Sequence, residues 1–137
     1  MLFYDGKRFK TVDKNASYEI VGIIDNKLIY YKNKYVYGTE KTFYIYDGKH
    51  KEKAFDLDIS YYVDVNGYPY DDGILINVTY ESNETLYKYD GKKLTKIKLP
   101  SNVFRITDLK IIDNKIYMNY SDGEESFDTY GFIIDLK

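Results

Sequence analysis

The residue types that most often carry catalysis are scarce in this 137-residue chain. It has no cysteine and a single histidine, so thiol nucleophiles, cysteine-ligated zinc sites and multi-histidine metal centres are excluded. That histidine, His50, follows an Asp-Gly pair and lies between Lys49 and Lys51, which is typical of an exposed turn residue. We therefore predict that His50 is not a catalytic base.

Carboxylates are the remaining candidates for chemistry, and several occur in close pairs. A glycosidase needs two carboxylates on either side of a sugar, one of them with a raised pKa. Nothing in the spacing marks such a pair, because most of these residues fall in predicted turns, where Asp has a structural role. We predict no catalytic residue, and a carboxylate-based glycosidase is the third candidate function. The pairs are Asp56 with Asp58, Asp71 with Asp72, and Glu124 with Glu125.

One segment begins like a calcium-binding loop. Asp64 is followed by Asn66 and Gly67, but the twelfth position is Leu75, where such a loop carries Glu. The Asn-Gly pair is more simply interpreted as a tight turn. The sequence therefore predicts no metal site and no other cofactor.

Tyrosine is the most conspicuous residue type, with 18 copies. Tyrosine buries a large area at low entropic cost, so exposed tyrosines beside carboxylates are typical of protein interfaces and sugar-binding grooves. One group of tyrosines and aspartates interrupts the regular pattern of the chain, and its sequence predicts a short inserted loop. We predict that this group binds a ligand or partner, the alternative being that it only fills an irregular repeat. It consists of Tyr61, Tyr62, Tyr68, Tyr70, Asp71 and Asp72.

Four segments match the N-glycosylation acceptor pattern, at Asn15, Asn77, Asn83 and Asn119. Asn15 and Asn83 fall in predicted loops and are the better acceptors. Asn77 and Asn119 occupy nearly equivalent strand positions, and a glycan at Asn77 would be hard to accommodate on a strand that is crowded on both faces. The alternative is that Asn, Ser and Thr are simply frequent in turns. The chain shows no signal peptide and no membrane-spanning run, so the expected location is cytoplasmic by default, unless the four sites mark an extracellular or surface parent protein.

The charge balance predicts no nucleic-acid partner. The chain has 20 Lys+Arg against 22 Asp+Glu, and its isoelectric point is about 5.4. Only Arg8 and Arg105 are arginines, the side chain that is favoured for bidentate phosphate and guanine recognition.

A repeat of about 43 residues runs through the chain. Tyr4-Asp5-Gly6-Lys7 recurs at 46–49 and 89–92, while Ile23-Ile24-Asp25-Asn26-Lys27 returns at 111–115. Asp-Gly suits a type I′ hairpin turn, and the flanking segments alternate apolar and polar residues as half-buried strands do. We predict an all-β fold of antiparallel four-stranded repeats. The chain would form a single repeat domain, 1–137, with repeats at 1–41, 42–84 and 85–129 and a partial copy at 130–137.

The motif order resembles the blade repeats of β-propellers. A strand pair around Asp113-Asn114-Lys115-Ile116-Tyr117 and a polar loop are followed by a strand that ends in Tyr-Asp-Gly-Lys, as at 89–92. This resemblance covers essentially the whole chain and implies about three blades, half of a ring, whereas propellers close with four to eight. A homodimer that closes a six-bladed ring, or a place in a larger propeller chain, is therefore expected. The alternative fold is a β-trefoil, which also has three repeats of about 40 residues.

The predicted function is a non-catalytic scaffold or protein-interaction module. A carbohydrate-binding surface module is the alternative, because the Tyr and Asp group suits a sugar as well as a protein.

Overall fold

The computed structural model describes residues 1–4, 6–14, 18–33, 39–59, 62–81, 83–123 and 128–137. These residues form β-strands and no helix, so the all-β prediction is confirmed. No helix in the described part of the chain could therefore cross a membrane. The strands are β1 (Leu2–Tyr4), β2 (Phe9–Thr11), β3 (Tyr18–Ile24), β4 (Lys27–Asn33), β5 (Glu40–Tyr46), β6 (Lys51–Asp58), β7 (Asp64–Tyr70), β8 (Gly73–Tyr80), β9 (Asn83–Tyr89), β10 (Leu94–Ile97), β11 (Arg105–Ile112), β12 (Lys115–Ser121) and β13 (Tyr130–Asp135).

The strands divide between two compact units, Met1–Tyr61 and Tyr62–Lys137. The first unit contains the β1-β2 hairpin and a four-stranded sheet of order β3-β4-β5-β6. The second contains a four-stranded sheet of order β7-β8-β9-β10 and a three-stranded sheet of order β11-β12-β13. Every pairing is antiparallel between consecutive strands, because short connections allow only such neighbours to pair. Each four-stranded sheet begins part-way through a predicted repeat, because the Asp-Gly turn joins its third and fourth strands.

Two kinds of hairpin turn each recur between described strands. Asp25-Asn26 and Asp113-Asn114 have positive φ at both residues, between 47° and 58°, as a type I′ turn requires. The Asp-Gly pairs are different, and their predicted type I′ turn is wrong. Only the glycine has a positive φ, 92° at Gly48 and 87° at Gly91. The loop there spans four residues, so the aspartate keeps an ordinary φ and uses its carboxylate to hold the turn.

The segment expected to be an inserted loop is instead the edge strand β7. Asn66, Gly67 and Pro69 suggested a turn, yet all three pair in register with β8, opposite Asn77, Ile76 and Ile74 respectively. An edge strand tolerates proline, because the missing N–H can face away from the sheet. This strand corresponds in sheet order to β3 and β11.

Alternation along each second strand defines two sheet faces, which we name after β8. The Leu75 face carries Leu75 and Asn77, and the Ile74 face carries Ile74, Ile76 and Val78. Aligning the two-residue turns places Ile29 and Tyr31 of β4, and Tyr117 and Asn119 of β12, on the Leu75 face. The same alignment places Leu28 and Tyr30 of β4, and Ile116 and Met118 of β12, on the Ile74 face.

The core of the second unit forms where its two sheets pack face to face. Leu75 and Leu86 contribute from the Leu75 face of the first sheet, while Ile116, Met118 and Tyr120 contribute from the Ile74 face of the second. These side chains are between 0% and 7% exposed. Opposite kinds of face therefore pack against each other in this unit.

Candidate functional site

A polar cleft opens in the second unit beside this core. It has a volume of about 460 Å³, within the range typical of ligand sites. The Leu75 face supplies Asn66 and Tyr68 from β7, Asn77 and Thr79 from β8, and Glu84 from β9. The opposite wall is β11, from Arg105 to Leu109.

A β-bulge shapes the β11 wall. The register with β12 shifts between Ile106 and Asp108, so Thr107 has no direct partner. Consecutive residues from Arg105 to Leu109 line the cleft along this bulged stretch. The partners of Arg105 and Asp108 are Ser121 and Asn119, so these two residues lie at the rim of the cleft, toward the Leu75 face of the β11-β13 sheet. Arg105 and Asp108 are exposed, and the Asp108 carboxylate lies 3.7 Å from the Lys110 ammonium group.

Glu84 is held in place by two hydrogen bonds. The Thr79 hydroxyl donates to Glu84 Oε2 at 2.8 Å, and the backbone N–H of Ile106 donates to Oε1 at 3.2 Å. The second bond links the two walls of the cleft. Since the bond geometry fixes the carboxylate on both sides, Glu84 is a pre-positioned acceptor rather than a mobile surface charge.

Tyr68 is a partly buried polar side chain of the cleft, and Asn77 is a fully buried one. Burial, together with the nearby carboxylates of Glu84 and Asp108, raises the pKa of the Tyr68 hydroxyl above its ordinary value. Asn77 is only 6% exposed, and its Oδ1 atom is buried without a hydrogen-bond partner. Most buried polar atoms are paired, so this unpaired amide oxygen is unusual.

The predicted tyrosine and aspartate group is divided by the structure. Tyr61 lies outside the described residues, and Tyr62 is 77% exposed just before β7. Tyr68 lines the cleft, while Tyr70 lies at the far end of β7, where burial and the nearby Asp90 and Asp72 raise the pKa of its hydroxyl. The strand thus brings only Tyr68 into the cleft.

Asp71 and Asp72 form the exposed turn between β7 and β8. Asn114 Nδ2 donates to Asp71 Oδ2 at 3.0 Å, and Leu136 N donates to the Asn114 carbonyl at 2.9 Å. Asp71 therefore ties this turn to the neighbouring sheet, which is a structural role.

Other residues considered for chemistry lie apart from the cleft. The side chain of His50 is 82% exposed, with Nδ1 3.5 Å from Asp47 Oδ2. Asp56 pairs with Lys53 on the surface of the first unit, and Glu124 and Glu125 lie outside the described residues. Across the residues that the structure describes, no three His, Cys, Asp or Glu side chains form a group that could hold a metal ion.

The four glycosylation motifs differ in their surroundings. The predicted loop position of Asn83 is wrong, because Asn83 is the first residue of β9, where it pairs with Tyr80 and is exposed. Asn119 is exposed on β12, and Asn15 lies outside the described residues. The buried amide of Asn77 faces the cleft, so a glycan attached there would have to displace the β11 wall.

Sequence reasoning missed Asn66, Thr79, Glu84, Arg105 and Asp108 as site residues. One signal was available, because Asn77 interrupts the apolar run Ile74-Leu75-Ile76-Asn77-Val78. A polar residue in a strand that is buried on both faces needs a partner or a function.

The outer face of the β11-β13 sheet is a second notable surface. Ile112 is 53% exposed, Tyr117 40% and Ile133 59%, and all three lie on its Leu75 face. A shallow hollow of about 350 Å³ runs across this face from Tyr117 to Ile133. Large apolar side chains gathered on one face are typical of an interaction surface.

Comparison with known proteins gave no match: no family model, no curated protein and no solved structure matches this chain. The cleft and the exposed sheet face therefore carry the functional argument.

Proposed function

We propose that this chain is a non-catalytic interaction module built from propeller-type blades. Two four-stranded meanders and a third, three-stranded sheet share one strand order. The Asp-Asn turn recurs in the first and third of these sheets and the Asp-Gly loop in the first and second, which supports repeated blades. Backbone pairing between described strands stays within each sheet. Closure as a β-trefoil would join strands of successive repeats, so the separate sheets favour the propeller-type arrangement.

The main support for this proposal is the exposure of one repeat position in the three sheets. Ile29 and Leu75 occupy it in the two four-stranded sheets, and each is 0% exposed. Tyr117 occupies it in the third sheet and is 40% exposed. The Leu75 face is thus buried at this position in both four-stranded sheets and exposed in the β11-β13 sheet. This difference supports the proposal that another sheet packs on the exposed face.

The occupant we propose is a second copy of this chain. Within the second unit, a Leu75 face packs against an Ile74 face. The exposed face of the β11-β13 sheet is a Leu75 face, so its expected partner is an exposed Ile74 face.

The first unit exposes apolar residues of that complementary kind. Ile20 and Ile23 of β3 pair with Tyr30 and Leu28, which places them on the Ile74 face, and they are 60% and 56% exposed. Leu2 of β1 is 65% exposed. When the Asp-Gly loops are aligned, Leu2 occupies the position of Tyr44. Because Tyr44 pairs with Tyr30, this position lies on the Ile74 face. One copy therefore offers both halves of a head-to-tail contact, which two copies can close symmetrically.

Light scattering coupled to size-exclusion chromatography tests this proposal. We expect a particle of about twice the 16.3 kDa chain mass. Ile133→Lys places a charge in the apolar contact and should shift the protein to the monomer, because an unpaired buried charge is strongly unfavourable. Ser101→Lys adds the same charge at an exposed turn and should leave the dimer unchanged.

Two results would overturn the proposal. A wild-type monomer at every concentration up to the millimolar range would exclude a second copy as the occupant. A dimer that is equally weakened by Ile133→Lys and Ser101→Lys would show that net charge, rather than this face, controls association.

A further inference from the structure

We propose that the cleft between β7–β9 and β11 is a binding site for a neutral, hydroxyl-rich ligand of the carbohydrate class. This cleft lies between the two sheets of the second unit, whereas the proposed association rests on the outer face of the β11-β13 sheet. Arg105 and Asp108 border both surfaces. Both walls belong to the second unit and are already positioned by the Glu84 bond to the Ile106 N–H. A ligand would therefore bind without first ordering the site, which favours affinity.

The unpaired Asn77 oxygen is the first argument for a ligand. A buried carbonyl oxygen without a donor costs about 1–3 kcal/mol, which a hydrogen-bond donor supplied by a ligand would offset. The oxygen has almost no accessible surface, so a donor reaches it only when the Asn77 amide turns toward the adjoining cleft of about 460 Å³. A site of this size beside one unsatisfied acceptor is suited to a larger polar molecule.

The charges of the cleft argue for a neutral ligand. Glu84 and Asp108 oppose an anion, while Arg105 opposes a cation and Lys110 is close enough to offset Asp108. Both Glu84 oxygens already accept hydrogen bonds, so this carboxylate is satisfied without a metal ion. Positive and negative side chains at the cleft are therefore nearly balanced, which favours a ligand without net charge.

Hydroxyl groups match the donors and acceptors that remain. A sugar hydroxyl can donate to Asn77 Oδ1 or to a carboxylate and, at the same time, accept from Arg105 or from the Tyr68 hydroxyl. Tyr68 is part of the hydrophobic cluster of the second unit, so its ring is held in place and supplies an apolar wall. Alternating hydroxyls and apolar ring faces are the chemistry of a carbohydrate.

A glycan array of neutral, sialylated and sulfated oligosaccharides tests this site with the full chain. We expect binding to neutral glycans, followed by fluorescence titration with the strongest of them. Tyr68→Phe removes one hydroxyl and should weaken affinity about 3- to 10-fold. Asn77→Leu should weaken it at least tenfold. Tyr70→Phe is the matched control, because Tyr70 lies on the same strand outside the cleft, and it should bind like the wild type.

Thermal unfolding of the same variants separates binding from folding. Asn77→Leu replaces an unpaired buried oxygen with an apolar group, so its melting temperature should stay equal to or exceed that of the wild type. Retained binding in both Tyr68→Phe and Asn77→Leu would overturn the proposal. So would binding of sulfated or sialylated glycans alone, or no binding by folded wild-type protein. Light scattering of these variants reports on self-association separately.

Discussion

At the residue scale, the surroundings of a side chain decide its role more than its type does. Asn77 is part of a glycosylation motif by sequence, yet its amide is buried beside a cleft. Tyr68 and Tyr70 have the same type and lie two residues apart, but only Tyr68 reaches the cleft. The difference arises from β11, which covers one end of the strand and comes from a distant part of the sequence.

Gly73 illustrates a residue that the packing requires. A Cβ atom there would lie 2.2 Å from the Tyr89 carbonyl oxygen and 2.8 Å from the Tyr70 hydroxyl. Because the nearest atom is backbone, the strand itself would have to shift, and Gly73→Ala should lower the free energy of unfolding by about 1–3 kcal/mol. Urea denaturation measures this change.

Gly131→Ala is the control for Gly73→Ala. Its Cβ would approach no atom closer than Asn119 Oδ1 at 3.9 Å, so we expect a change within about 0.5 kcal/mol. Equal effects at the two glycines would contradict the packing argument.

At the element scale, the turns set the geometry of the sheets. The Asp47 carboxylate accepts the backbone N–H groups of His50 and Lys49 at 2.7 and 2.8 Å, and Asp90 repeats this arrangement with Lys93 and Lys92. The aspartate of the repeated motif is therefore explained by a side-chain function within the turn. The edge position of β7 explains in the same way why a strand can contain Pro69.

This turn predicts a pH dependence. The bonds from His50 N and Lys49 N lower the pKa of Asp47 to about 2, from an ordinary value of 3.8. A carboxyl whose folded-state pKa is lowered stabilises the fold fully above pH 3.8, and that contribution is lost as the pH falls through about 2. NMR titration of the side-chain carboxyl carbons measures this value directly.

Asp47→Asn provides the control for the titration. An asparagine oxygen can still accept both backbone bonds but does not titrate, so unfolding of this variant should depend less on pH between about 4 and 2. A wild-type Asp47 that titrates at or above 3.8 would contradict the turn geometry.

At the scale of the whole molecule, the proposed association is directional. The Leu75 face of one copy meets an Ile74 face of the next, so the two surfaces are different. Ile133→Lys and Leu2→Lys should each reduce the dimer, because they alter opposite halves of the same contact.

Mixing the two variants tests this direction. An Ile133→Lys copy keeps an intact Leu2 surface, and a Leu2→Lys copy keeps an intact Ile133 surface. One unaltered contact can therefore form, and light scattering of an equimolar mixture should show more dimer than either variant alone. No gain on mixing would indicate that identical faces meet.

The sequence by itself determined the local features of this protein. Alternating residues and the repeated turns predicted strands, antiparallel pairing and an all-β chain, because these depend on neighbours along the chain. It also predicted Tyr68 as a binding residue, but from a supposed loop. The type I′ turn at Asp-Gly was wrong because loop length and side-chain bonding outweigh the propensity of a residue pair.

Only the tertiary structure decided which side chains meet. Glu84, Arg105 and Asp108 line one cleft with Asn77 because two sheets pack face to face beside the bulged part of β11. The exposure of Tyr117, at a position buried in the other sheets, likewise depends on whether a neighbouring sheet covers it. Such contacts join residues that are far apart in the chain, so no local pattern of residues encodes them.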